Sequence, residues 1–422
     1  MLTKHQQEEC SKAIKLLVEH KEVLIKGSAG VGKTYLVNEL IKQLPRECTN
    51  GYKVLSAPTH KALAVLMSKI SLKFVSFNTI HSILKYKLQI TNKGEKKFRP
   101  SYSEKYAPLK NVALLIIDEA SMVGEDMLAD VKEHASKQGV YVVWLGDEKQ
   151  INPVKEENSP VFKADIPSVE LTEIIRQGEG NPIIDLSRNT YKIEFQQNAL
   201  IKDGEEGIIY SQNRAKVVSE LASVNGTDEI KYIAWTNKNV DAVNMAVRKY
   251  IYNSPSKVEV GESIVFNSPY KNVYYTNQEL KIKTVDVEEV VLKVLFMKSD
   301  PVAGKPVVKS VPIKIYVLNK ESQSVLVVHE DSEDVYKSVA KQLKANARQK
   351  LLDWVDYYDF MDKFADFKYN HALSIHKSQG STFETVIMDY KDIMKNTNYK
   401  ERDRLIYTAI TRASKKLIIL CG

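Results

Sequence analysis

The chain predicts an α/β fold built on parallel sheets, and three observations carry that expectation. Val23-Leu24-Ile25 reads as a buried strand that runs into a glycine-rich turn and then into an amphipathic helix from Thr34. Strand and helix patterns go on alternating to residue 85: helix over 5–20, strand 23–27, helix 33–44, strand 53–58, helix 60–70. That order implies a parallel sheet covered on both faces. Finally, Val112–Ile117 and Tyr141–Leu145 are continuous apolar runs, as strands buried on both faces require.

The turn of the first element is the most specific signal. Gly27, Ser28, Ala29, Gly30, Val31, Gly32, Lys33 and Thr34 satisfy the P-loop pattern G-x-x-x-x-G-K-[ST] at every constrained position. Its glycines let backbone N–H groups face a phosphate, and the helix start adds positive potential. Lys33 is placed to reach the β- and γ-phosphates and Thr34 to hold Mg²⁺. A glycine-rich turn without a ligand is the alternative; the agreement of strand, loop, Lys-Thr pair and helix argues against it.

With 422 residues the chain exceeds one small core, so two to four domains are expected. A net charge of +8 favours an anionic partner without demanding one. Cys10, Cys48 and Cys421 are scattered, which argues against a disulfide framework and against a zinc cluster. The polar N-terminus is no signal peptide, and no apolar run approaches the roughly 18–20 residues of a membrane span. A soluble, cytoplasmic protein with no membrane partner is expected.

Residues 86–106 interrupt the α/β pattern with many lysines and the turn signal Asn92-Lys93-Gly94, which reads as a projecting hairpin. A second α/β unit starts near residue 180, with strand Tyr232–Trp235 and a helix from Asn237. Residues 251–365 then differ. Several short β segments (Ser263–Phe266, Thr284–Val287, Val291–Phe296, Ile313–Val317, Val325–Val328) predict a small barrel, and 331–364 is helical. The α/β pattern returns over 370–422, so the second α/β domain is split by an insertion.

Polar residues cluster at strand ends. Asp118-Glu119 follows the strand ending at Ile117, where an acidic pair serves as the Mg²⁺ partner of a P-loop. Asp118 suits the metal, and Glu119 suits the deprotonation of an attacking water. Gln150, after the strand ending at Leu145, can meet the γ-phosphate or that water. Arg176 and Arg412 are candidate phosphate clamps, with surface ion pairs as the alternative. Pro58, Thr59 and His60, then Thr79 and His81, and later His376 and Lys377, sit at helix starts. There they suit phosphate contacts without base reading, or act only as helix caps.

Taken in order, these segments resemble the motifs of superfamily 1, group B helicases, in the Dda-like branch related to RecD. The matching stretches are LTKHQ (2–6), GSAGVGKT (27–34), SAPTHKAL (56–63), TIHSIL (79–84), IIDEASM (116–122), GDEKQINPV (146–154), ELTEIIRQ (170–177), IAWTNKNVD (233–241), SIHKSQGSTFE (374–384) and YTAITRA (407–413). The resemblance implies two RecA-like P-loop domains with parallel sheets, 1–85 with 107–178 and 179–250 with 366–422. It also implies a pin hairpin over 86–106, and an SH3-like β-barrel with a helical tower over 251–365. By position it makes Gln6 an adenine reader, with Tyr35 beside the P-loop. Lys33, Thr34, Asp118, Glu119 and Gln150 become the phosphate, Mg²⁺ and hydrolysis residues, and Arg176 and Arg412 the arginine fingers. Gly380 and Glu384 would line the nucleotide cleft from the second domain. Pro58, Thr59, His60, Thr79, His81, Thr236, Asn237, His376 and Lys377 would track single-stranded DNA.

The implied activity is an ATP-dependent DNA helicase moving 5′ to 3′, with Phe98 stacking at the junction of single and double strands. A single-strand-binding protein or replication and recombination proteins are the implied partners, and action is as a monomer. Three alternatives stay open on sequence grounds: a translocase without productive unwinding, a nucleotide-switched binding module, and an RNA substrate.

Overall fold

The protein is described here from a computed structural model. It covers residues 2–422 except 71, 73, 104–105, 154–155, 157, 174–180, 189, 191–192, 194–206, 224–228, 272 and 298–305. The chain groups into two compact units, one of 1–86, 100–243 and 371–422, the other of 87–99 and 244–370.

In the first unit the chain runs α1 (Lys4–His20), β1 (Glu22–Gly27), α2 (Lys33–Gln43), β2 (Tyr52–Ala57), α3 (His60–Lys69), β3 (Val75–Thr79) and α4 (Ile80–Ile83). The strands β4 (Tyr86–Ile90) and β5 (Lys96–Pro100) form a separate two-stranded hairpin. Then come β6 (Val112–Ile117), α5 (Glu125–Gln138), β7 (Tyr141–Gly146), α6 (Pro160–Lys163) and β8 (Ser168–Leu171). Six strands make one parallel sheet in the order β3-β2-β6-β7-β1-β8.

Strand alternation explains why the runs are apolar throughout. Val23, Ile25, Leu114, Ile116, Val143 and Leu145 join the core under α1 and α2. Their neighbours Leu24, Leu115, Ile117, Val142 and Trp144 join the opposite core with α4 and α5. Every side chain of such a strand has an apolar destination, so a two-residue period never shows.

The second sheet of this unit is built from β9 (Gly207–Ser211), β10 (Ile230–Ala234), β17 (Ala372–Ser374), β18 (Phe383–Asp389) and β19 (Ala413–Leu420). It is parallel, in the order β17-β10-β18-β19-β9. The helices α7 (Pro182–Arg188), α8 (Arg214–Ser223), α9 (Asn237–Tyr252), α12 (Ile375–Ser378), α13 (Tyr390–Ile393) and α14 (Tyr399–Ile410) connect its strands. Ile183 of α7 and Leu405, Ala409 and Ile410 of α14 pack on Ile233, Val386 and Leu417 of the sheet.

The second unit holds two three-stranded sheets, β12-β11-β16 and β13-β14-β15. Their strands are β11 (Ser263–Phe266), β12 (Glu279–Lys281), β13 (Val285–Met297), β14 (Pro306–Leu318), β15 (Val325–Val328) and β16 (Phe367–Tyr369). One core, with Ile264 and Phe266 from the first sheet and Tyr316, Leu318, Val325 and Val327 from the second, closes them on each other. The expectation of uniformly short strands is corrected. Residues 285–297 and 306–318 are two thirteen-residue strands paired along their whole length. Glu288 and Glu289, which interrupt the apolar runs in sequence, lie within the first of them. No Gly, Pro or Asn breaks the chain there, so nothing forces a turn.

Helices α10 (Glu333–Arg348) and α11 (Trp354–Met361) complete this unit. The β4–β5 hairpin tip packs against α11. Gly94, in the left-handed region at φ +78°, lies so close to Trp354 that a Cβ would come within 2.4 Å of its ring. Tyr358 Oη donates to the Gly94 carbonyl at 2.7 Å. Lys96 Nζ meets the Asp362 carboxylate at 3.1 Å and lies 4.2 Å from the Tyr358 ring centroid.

Candidate functional site

The P-loop connects β1 to α2, and its shape depends on Gly30 and Gly32, at φ +88° and +82°, which let the chain enter the helix from the left-handed region. Lys33 Nζ donates to the carbonyls of Gly27 at 2.6 Å and Ser28 at 3.0 Å, so the amine folds back over the loop. A cavity of about 280 Å³ opens beside it, and both parallel sheets contribute its walls. The first domain supplies Lys33, Thr34, Tyr35, Asp118, Glu119 and Gln150; the second supplies Gly380, Ser381, Thr382 and Arg412.

Asp118 and Glu119 leave the end of β6, and Asp118 Oδ1 accepts the Glu119 N–H at 2.8 Å. Glu119 takes φ +55°, a left-handed conformation that turns the chain sharply after the strand. Burial pushes the Asp118 carboxyl above its ordinary range, with Lys33 pulling the other way. Burial, then the Asp118 charge, push Glu119 up to about 7, opposed by Arg412 and Lys33. A carboxyl poised near neutrality suits a general base.

Arg412 follows α14 and is buried at 4% exposure. Its guanidinium donates to the carbonyls of Thr408 and Ser381, each at 3.0 Å, and to Thr411 Oγ1 at 3.1 Å. The domains approach closely nearby: a Cβ on Gly380, at φ +74°, would lie 3.3 Å from Ala62 Cβ of α3.

Two cavity-lining polar atoms, Gln150 Oε1 and Ser381 Oγ, are buried without a hydrogen-bond partner. A polyphosphate and its water would supply what both lack, so the residues present fit a nucleotide. Thr34 and Asp118 are the pair that would hold its Mg²⁺. Among the described residues no group of three or more His, Cys, Asp or Glu could hold a metal alone. A cation held by Thr34 and Asp118 would complete its shell with phosphate oxygens and water.

Glu384 and Gln6 do not join this cavity. Arg176 lies outside the described residues. Glu384 faces the surface and pairs with Lys415 at 2.9 Å, because Phe383 takes the inward position of β18. Gln6 is buried, and both ends of its carboxamide are engaged. The oxygen accepts from Thr3 N–H at 3.1 Å and the amide donates to the Val31 carbonyl at 3.0 Å. What the geometry displays is a brace that fixes the P-loop to the start of α1.

The strand-tracking candidates converge at the C-terminal ends of paired strands, where open α/β sheets place their ligands. In the first sheet Pro58, Thr59 and His60 follow β2, while Thr79 ends β3, its neighbour, and His81 lies in α4 just after it. In the second, Thr236 and Asn237 follow β10, and His376 and Lys377 follow β17, its neighbour. The local structures match as well. Thr79 caps α4 by accepting from Ser82 N–H, and Ser374 caps α12 by accepting from Lys377 N–H. Thr59 caps α3 in the same way, and Thr236 caps α9 by accepting from Asn239 N–H while its hydroxyl donates to Asp392. Desolvation lowers the pKa of His60, His81 and His376, so these imidazoles are neutral hydrogen-bonding groups at neutral pH. Phe98 stands on β5 of the hairpin and is 51% exposed.

Sequence reasoning missed Ser374, Ser381 and Lys69. Ser374 stands in the same place as Thr79, a parallel visible in Thr79-Ile80-His81 against Ser374-Ile375-His376. Ser381 lies within the matching stretch 374–384 but was not singled out in it, and Lys69, which also lines the cavity, carries no local pattern.

Comparison with known proteins agrees with this geometry. Residues 2–210 match the AAA domain family, and 369–420 match the UvrD-like helicase C-terminal domain. The ATP-dependent DNA helicase dda of Enterobacteria phage T4 is 28% identical, over 97% of each chain. The ATP-dependent DNA helicase Pif1 of Campylobacter jejuni is 24% identical, over 94% of this chain and 88% of its own. Among solved structures, a Bacteroides Pif1 helicase in complex with ADP-AlF3 and ssDNA superposes with a TM-score of 0.51 at 17% identity, over 99% of this chain and 92% of that one. A Pif1 structure described for DNA unwinding at forked dsDNA gives 0.53 at 18%, with the same coverage. The cavity between two parallel-sheet domains and these full-length matches place the chain among the Dda- and Pif1-like helicases of superfamily 1, group B.

Proposed function

We propose that the chain is an ATP-driven motor that moves 5′ to 3′ along single-stranded DNA and separates the duplex it meets. The observation that carries this reading is one nucleotide cavity walled by two domains, each of which bears a matching set of residues at its strand ends. A nucleotide that draws the walls together shortens the distance between two grips; its hydrolysis lets them part. Because both walls come from one chain, a monomer suffices.

In the cavity, P-loop N–H groups receive the phosphates and Lys33 leaves the Gly27 and Ser28 carbonyls to meet them. Mg²⁺ held by Thr34 and Asp118 would neutralise phosphate charge. Glu119 accepts the proton of the attacking water, and Gln150 Oε1 accepts its second hydrogen bond. Arg412 stabilises the charge that develops on the transferred group; Arg176 is the expected second cation.

On the strand-end surface, Thr59, His60, Thr79, His81, Asn237, His376 and Lys377 grip sugar and phosphate. Such contacts predict little sequence preference and a strong salt dependence. Phe98 meets the end base pair, where stacking on an aromatic ring is worth about 1–3 kcal/mol. Likeness to a phage helicase supports a role in phage DNA replication or recombination beside a single-strand-binding protein.

The test uses partial duplexes with a 5′ or a 3′ single-stranded tail, with Lys33→Ala as the inactive control. Opening of the 5′-tailed duplex alone, dependent on ATP and Lys33, is the expected result. Opening of the 3′-tailed duplex overturns the direction. DNA-stimulated ATP hydrolysis with neither duplex opened makes the protein a translocase.

A further inference from the structure

Helix α14 makes contacts that the chemistry above does not use. Arg404 and Tyr407, three residues apart and so on one face of the helix, both reach segment 147–150 of the first domain. Arg404 Nη1 donates to the Glu148 carbonyl and, at 2.8 Å, to the Gln150 carbonyl; Nη2 meets Asn158 Oδ1 at 3.3 Å. Tyr407 Oη donates to Asp147 Oδ2 at 2.7 Å and accepts the P-loop N–H of Ala29 at 3.5 Å. Asp147 in turn takes Gln150 Nε2 at 3.4 Å and the Lys149 N–H at 3.1 Å. Tyr407 and Asp147 are 4% and 3% exposed. Burial, then the Asp147 charge, raise the phenol's pKa, which keeps it a donor.

We propose that Tyr407 is a positioning residue for ATP hydrolysis: its hydroxyl links Ala29 of the P-loop through Asp147 to Gln150 and turns the Gln150 carboxamide oxygen toward the attacking water. The proposal rests on the ATPase reading of the cavity. A carboxamide has two ends of nearly equal shape, and its partners alone decide which end faces where. A carboxylate only accepts, so Asp147 takes the amide nitrogen, and the oxygen left over is the buried, unpartnered Gln150 Oε1. Tyr407 keeps Asp147 in that place. Arg404 holds the backbone that carries both Asp147 and Gln150. The Ala29 N–H is also one of the P-loop amides that phosphate would claim. Nucleotide binding therefore removes one end of the link and leaves Tyr407 on Asp147 alone.

Tyr407→Phe removes the hydroxyl and keeps the ring. DNA-stimulated ATP turnover should then fall about tenfold to a hundredfold in kcat, the scale of a misaligned reacting group. KM for ATP, ADP affinity and the melting temperature should stay within about twofold or a few degrees of wild type. In the double variant with Asp147→Asn, kcat should be no lower than in Asp147→Asn alone, because both changes break one link. A kcat within about twofold of wild type overturns the proposal. So does a loss shared by kcat, KM and melting temperature, which marks a merely structural role, and so does full additivity in the double variant. Failure of the parent reading looks different: wild type itself then shows no ATP turnover above Lys33→Ala.

Discussion

Single atoms divide the cavity into binding and chemistry. Ser381 Oγ and Gln150 Oε1 are both buried without partners, but they stand on different domains. Ser381 is a wall of the second domain, and its carbonyl accepts from Arg412, the proposed stabiliser of the transferred phosphoryl group. Ser381→Ala should raise KM for ATP about three- to tenfold, the worth of one hydrogen bond, with kcat nearly unchanged. Steady-state kinetics on single-stranded DNA reads this directly, and a fall in kcat alone would contradict it. The sequence displayed Lys33, Thr34, Asp118 and Glu119 because a fixed spacing serves a fixed geometry. Ser381 and Tyr407 fall within the matching stretches 374–384 and 407–413, but they face the first domain across the cleft, and their partners there are set by packing that no local spacing shows. Gln6 and Glu384 show the reverse. Their positions fit a pattern, but one is bound up in bracing the P-loop and the other pairs with Lys415 on the surface.

The inner strands of the two parallel sheets were legible, because a run buried on both faces needs apolar residues at every position, whereas the edge strands β3, β8, β9 and β17 carry no such run and were not read. The hairpin was legible as well, from Asn92-Lys93-Gly94. What no local pattern revealed is its attachment. Gly94 lies under the Trp354 ring, and Lys96 lies between Asp362 and Tyr358 of a segment some 260 residues further on. Gly94→Ala meets both a left-handed backbone and an indole in its way, so the tip must leave α11. DNA-stimulated ATP hydrolysis should persist in this variant while duplex opening falls severalfold. Unwinding at the wild-type rate would show that the tip contact is dispensable. The long β13–β14 ribbon escaped sequence reading for a different reason: its glutamates lie within a strand, and an interruption in hydrophobicity is not an interruption in the backbone.

At the scale of the whole molecule, 87–99 and 244–370 pack as one unit although the first sheet's chain runs between them. Ion pairs tie this unit together. Lys257 and Lys337 hydrogen-bond the Glu333 carboxylate at the start of α10 and hold its pKa at about 2. Such a carboxylate stabilises the unit above its ordinary value near 4.5, and the contribution fades as acid titrates it toward 2. The group is 30% exposed, so solvent tempers the effect. Hydrogen exchange of the amides of 244–370, followed from about pH 5 down to pH 2.5, should show protection falling more steeply in wild type than in Glu333→Gln. Equal slopes would remove Glu333 from the acid response.

The hairpin tip also sets a rule of inheritance. While an indole stands at 354, position 94 has no room for a side chain, and its left-handed backbone keeps it glycine even where 354 is smaller. A change at 354 can therefore be inherited alone, whereas a change at 94 cannot. A graft that moves 87–99 without 354–362 transplants half of a joint.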